Sequence, residues 1–173
     1  MPHHLLHFST FLLNYYDDFI SRTAAATGTV SVSEVVYAGY GIDDEKYSDY
    51  TNLDVKGKVV VVKGGEPKDK AGNNSLSGGK EASKWSNGRQ ALSSKRTAAK
   101  DNGAKALFFM DSELFNRYAT FFKEREATGG SKRLSLPAKE GDDPEIYDFL
   151  ISEKMGNALV GNINESTETA TVA

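Results

Sequence analysis

Four consecutive valines, Val59 to Val62, constrain this chain more than any other feature. A β-branched run with no polar alternation fits a strand covered on both faces, and so implies a sheet with a layer on each side. A second apolar run, Ala104 to Met110, is also a buried strand by this reading. Between the two, Gln90 to Asn102 has helical spacing. Ala91, Lys95, Ala99 and Gly103 form one i, i+4 row, with Leu92, Arg96 and Ala98 on neighbouring rows. Small residues on that face permit close approach to a sheet, and Gly103 stops the helix as a left-handed cap. Strand, helix and strand in this order predict a right-handed crossover.

The rest of the chain reads less sharply. Residues 5–20 follow neither clean period, so a short helix and an irregular lead-in both fit. Thr29 to Ser33 alternates as a half-buried strand would, with Glu34 to Tyr37 as its extension. Gly39-Tyr40-Gly41 marks a backbone bend after a β-branched run, Asp43 to Asn52 a surface loop, and Asp54 to Lys58 a turn with Gly57 at positive φ. Gly64 to Gly88, rich in Gly, Asn, Ser and Lys, lacks periodicity and reads as a mobile or functional excursion. Residues 113–127 are predicted helical, with Leu114, Phe115, Tyr118, Phe121 and Phe122 on one face and Gly129-Gly130 beyond the end. Ser135 to Pro137 reads as a short extended piece and Tyr147 to Ile151 as a strand. Ser152 is placed to cap a helix from Glu153 to about Leu159. Asn164 to Ala173 reads as the start of a strand leading elsewhere.

At 173 residues the chain suits one domain, able to bury roughly 70% of its extended surface. It has no cysteine, which excludes disulfides and thiolate metal sites but leaves the compartment open. No apolar run is long enough for a membrane-spanning helix. The net charge of -3 is unevenly spread: residues 63–105 hold ten Lys or Arg against four acids. That bias suits an acidic partner surface or a solvated face, whereas nucleic acid is disfavoured by the acidic total and the absence of a basic-aromatic module. Leu5 to Leu13 resembles a signal-peptide core, but no Lys or Arg precedes it. The N-terminus therefore reads as mature sequence.

Motifs for chemistry are sparse. His3, His4 and His7 are the only histidines, and no carboxylate-rich segment is obvious as a partner for them. Asp43-Asp44-Glu45 with Asp49 lacks the Gly and terminal Glu of a calcium loop. Gly78-Gly79-Lys80 fails as a phosphate cradle, since Asn74 and Glu81 occupy its defining positions. Gly39-Tyr40-Gly41 has no third Gly, and a nucleophile elbow is missing. Trp85, the sole tryptophan, fits either an anchor for a partner or a plug in the domain's own core.

In order and spacing, three segments resemble the protease-associated domain inserted in secreted di-zinc aminopeptidases. They are Val35-Val36-Tyr37-Ala38-Gly39-Tyr40-Gly41-Ile42, Asp54-Val55-Lys56-Gly57-Lys58-Val59-Val60-Val61-Val62, and Lys95-x3-Ala99-x3-Gly103-Ala104. The resemblance runs from about Gly28 to Val160 and includes the close Phe149-Leu150-Ile151-Ser152. It implies an α+β fold with β/β/α layers, the swivelling domain, built on a mixed sheet with a few helices. It also implies an organisation of leading segment 1–27, domain 28–163, and linker or first strand 164–173.

By the same resemblance the chain is a non-catalytic accessory part of a zinc metallopeptidase, secreted or periplasmic, that shapes substrate access or partner contacts. Its implied partners are the adjacent catalytic domain and peptide or protein substrates. The family's catalytic domain uses His-x-Asp and Glu-Glu segments. Neither occurs here, so catalytic and metal residues are expected only beyond Ala173, where zinc would reside. Gly39, Gly41, Gly57, Lys95, Ala99 and Gly103 carry the structural motif. Lys80, Lys84, Trp85 and Arg89, in or beside the excursion, are the candidate rim or partner contacts. The alternative is a free-standing module binding a protein or glycan.

Overall fold

The structure is a computed structural model. It describes residues 7–8, 11–22, 31–32, 34–86, 88–129, 144–161 and 171–172, with backbone alone at 7, 8, 11, 12, 171 and 172. Ten short strands and three helices occur among them. The strands are β1 (His7–Phe8), β2 (Phe11–Leu12), β3 (Phe19–Ser21), β4 (Val35–Tyr37), β5 (Asp43–Asp44), β6 (Tyr47–Ser48), β7 (Val59–Lys63), β8 (Ala106–Met110), β9 (Tyr147–Ile151) and β10 (Thr171–Val172). The helices are α1 (Gly88–Asp101), α2 (Ser112–Ala127) and α3 (Glu153–Val160). The chain is α+β, with a mixed sheet in the order β10-β4-β7-β8-β9-β3. The inner four strands run parallel, and β10 and β3 pair antiparallel at the two edges.

Alternation along each inner strand divides the core in two. Val60 and Val62 of β7, Leu107 and Phe109 of β8, and Leu150 of β9 face α1 and α2, where they meet Leu92, Ala98, Ala99, Leu114, Phe115 and Ala119. Val59, Val61, Phe108, Met110, Tyr147 and Ile151 face the other way, toward Met155 and Val160 of α3. All four valines are buried, each worth roughly 1.5–3 kcal/mol over exposure. The valine run is continuous because both faces of its strand are covered.

The helix ends follow local chemistry. Asp111 caps α2, its side chain accepting from the Leu114 N–H, and Ser152 caps α3 by accepting from Met155 N–H at 3.2 Å. At the end of α1, Gly103 sits at φ +84°, its N–H donating to Lys100 O while Ala104 N–H reaches back to Ala99 O. These two bonds form a Schellman motif, which needs a residue tolerant of positive φ.

Several expectations change. In Thr29 to Ser33, residues 31 and 32 carry no strand and the remainder lies outside the described residues; the strand is its extension, β4. Of residues 5–20, those described form β1, β2 and the start of β3 around an irregular stretch at 13–18, with no helix among them. The expected loop at Asp43 opens instead as the β5–β6 hairpin, with Asp43 opposite Ser48. β10 pairs with β4 of the same sheet. Ser135 to Pro137 lies outside the described residues.

Candidate functional site

Charged side chains converge at the carboxyl ends of β4, β7 and β8, the margin where open parallel sheets usually meet their ligands. At its centre is Lys95, with no exposed surface. One turn of α1 aims its Nζ past the end of β7, where it donates to Lys63 O at 2.9 Å and Gly65 O at 2.7 Å. The rings of Tyr40 and Phe109 lie 5.8 and 5.5 Å from it. Burial pushes the amine down to about 7, although Asp49, Asp111 and Glu66 favour its charge. An amine near neutrality has the electronic character of a base or nucleophile. This one is enclosed and committed to backbone carbonyls, so what it holds is the chain leaving β7.

Asp49 does similar work for the bend after β4. It accepts from Ile42 N–H at 3.0 Å and from the Tyr47 hydroxyl at 2.7 Å. Burial nevertheless raises its carboxyl above the ordinary range. The bend itself needs Gly41, at φ +64°, because a Cβ there would lie 2.5 Å from Val62 Cγ1. Gly39 is also at positive φ, as is Gly57, whose N–H donates to Gly103 O at 2.8 Å. Ala99 is fully buried against the sheet. The motif residues thus shape backbone and packing.

The excursion after β7 holds no helix or strand between 64 and 86, yet three buried side chains tie it down: Glu66, Leu76 and Trp85. Glu66 accepts from Ser83 N–H at 3.1 Å and from the Ser86 hydroxyl. Burial pushes this carboxyl up, but the Ser86 and Ser83 hydrogen bonds outweigh that and hold it below the usual range. Asp69 organises the tip, accepting from Ala71 N–H and Asn73 N–H. Trp85 is only 3% exposed; its indole N–H donates to Asp44 Oδ2 at 3.1 Å and so lowers that carboxyl.

Of the candidate contact residues, Lys80, Lys84 and Arg89 are exposed, whereas Trp85 packs into the core. Lys84 Nζ lies 4.8 Å over the indole and 3.6 Å from Asp44. Lys84 and Trp85, with Asp43 and the outer face of α1, line a groove of about 280 Å³. Lys80 and Arg89 are not among its lining residues.

Asp44, Asp49, Glu66 and Asp111 are structural carboxylates; the sequence offers the first two only as calcium ligands and does not single out the other two. For Asp111, an acid between an apolar strand and a helical stretch was a usable cap signal. Asp44 and Glu66 act on residues 41 and 17–20 positions away, and Asp49 closes a bend onto Ile42 and Tyr47 that no periodic pattern marks. Among the described residues, no group of three or more His, Cys, Asp or Glu is placed to hold a metal ion, and no helix is long and apolar enough to cross a membrane. Compared with known proteins, the chain matches no protein-family model and no curated protein.

Proposed function

We propose that the chain is a non-catalytic, protease-associated accessory domain of a secreted or periplasmic zinc aminopeptidase, and that it shapes which peptides reach the neighbouring catalytic cleft. The reading includes the finer fold assignment, a swivelling domain of β/β/α layers, and places zinc in that neighbouring domain. The observation that supports it is the division of labour among the motif residues. Gly41, Lys95, Ala99 and Gly103 are committed to backbone and packing, while the exposed cations Lys80 and Lys84 belong to an anchored surface segment that, through Lys84 and Trp85, walls a polar groove against α1. A scaffold that presents a firm surface segment suits selection of substrates by obstruction as well as by attraction.

Two measurements test this. The isolated chain, stripped of adventitious metal, is expected to retain no stoichiometric zinc and to hydrolyse no aminoacyl substrate; one tightly held zinc with turnover would overturn the reading. In the full-length parent, shortening the 64–86 segment is expected to change relative kcat/KM between short and long peptides at constant zinc content. Equal effects on every length would assign the segment a structural role only.

A further inference from the structure

We propose that the groove between α1 and the β5–β6 hairpin binds the free amino terminus of a short peptide, with Asp43 and Asp101 as counter-charges for the ammonium. This rests on the accessory-domain reading above and names the ligand its surface would take.

The walls are built before any ligand arrives. Asn102 Nδ2 donates to Asp43 Oδ2 at 2.8 Å and also to Ala98 O at 2.9 Å, fixing the hairpin to the helix end. The Trp85 indole fixes the same hairpin from the other side through Asp44. Pre-organised walls spare the ordering cost of binding.

The outer face of α1 supplies Ser93, Ser94 and Thr97. Helical hydroxyls often fold back onto the carbonyl four residues earlier, as Thr128 does with Glu124 O. These three make no such bond and have no other partner among the described residues. Hydroxyl side chains are also mediocre helix formers, so three within five positions of one helix face do little for the helix. They can both donate and accept, which suits a peptide backbone.

Charge selects the ligand. Among the described residues Asp101 is partnered only by Lys100 at 3.8 Å, and its side chain is 61% exposed. Asp43 has one amide partner and a carboxylate with acceptor capacity to spare. Lys84 brings a single ammonium, already shared with Asp44 and the indole face. An ammonium with three donors fits this inventory. A sugar fits it less well, because the indole face that would stack on a ring is buried beneath Lys84. The volume of about 280 Å³ lies just below the range of roughly 300–1,000 Å³ for drug-sized ligands, the scale of a chain end rather than of a folded surface.

The test uses the 173-residue chain, isotope-labelled, titrated with Ala-Ala while backbone amide shifts are followed. Shifts are expected at residue 43, at 84–85 and along 93–101, and should vanish with N-acetyl-Ala-Ala. Asp101→Asn should weaken binding by roughly two- to fivefold, the worth of one exposed charge pair. Thr97→Tyr, on the open face of α1, should block the groove without disturbing the remaining spectrum. Absence of shifts at tens of millimolar peptide, equal shifts with the acetylated peptide, or saturable shifts with a neutral oligosaccharide instead would each overturn the proposal. None of these outcomes bears on the accessory-domain reading, which stands or falls on the zinc and hydrolysis measurements.

Discussion

The indole N–H of Trp85 donates to Asp44 Oδ2 at 3.1 Å, joining two segments 41 residues apart in sequence. One buried ring thereby anchors both the long segment after β7 and the hairpin after β4. Trp85→Ala should cost about 3–5 kcal/mol by cavity formation, and Trp85→Phe less. With one tryptophan in the chain, native fluorescence should be blue-shifted and shielded from iodide. An emission spectrum unchanged by urea unfolding would contradict this placement.

Gly103→Val should destabilise by roughly 1–3 kcal/mol, since a β-branched residue is strained at positive φ. Ala99→Leu should cost a similar amount, about 1–3 kcal/mol, by overpacking α1 against the sheet. Urea melts of both variants check this; unchanged midpoints would mean that α1 does not end and pack as described.

Gly41→Ala combines a disfavoured φ with a collision against Val62, and should cost roughly 2–4 kcal/mol. The penalty should shrink in a Val62→Ala background, because the two residues share the clash. Additive effects in that cycle would remove the collision as the cause.

Lys95 gives stability a distinctive pH dependence. Burial lowers its folded value to about 7, while the unfolded lysine keeps its proton to near 10.4. Between those limits the unfolded state binds more protons, so this residue makes stability rise with pH by up to roughly 1.4 kcal/mol per unit. Asp49 and Asp148, raised by burial, act oppositely just above pH 4, where the folded state holds the extra protons. Lys95→Met should abolish the neutral-to-alkaline rise. It should also cost about 2–4 kcal/mol, because Lys63 O and Gly65 O lose their donor. A variant that keeps the slope would assign it elsewhere.

The inner strands and helices were legible because their signals are local. Val59 to Val62 spell burial on both faces, Gly103 a left-handed stop, and Ser152 a hydroxyl cap, each within a few residues. What escaped depends on partners that meet only once the loops have folded, whether far along the chain or round a bend. Glu66 looks like any loop acid until Ser83 and Ser86 fold over it, and Asp49 like a surface acid until Ile42 and Tyr47 turn toward it. β3 and β10, three and two residues long, are too short to show a period and exist only through their neighbours. The candidate contacts were legible as charges on a polar segment, but burial of Trp85 and the groove beside it required the hairpin, which no short-range pattern announced.

The antiparallel edges also give the sheet a mechanical character. β3 and β10 lie at opposite margins, five strand spacings or about 24 Å apart. A load drawn outward through both would fall on the two-pair β10–β4 and three-pair β3–β9 and β4–β7 ladders before the five-pair ladders that join β7, β8 and β9. The margins would peel while the centre from β7 to β9 stayed whole, making the borders a fuse for the core.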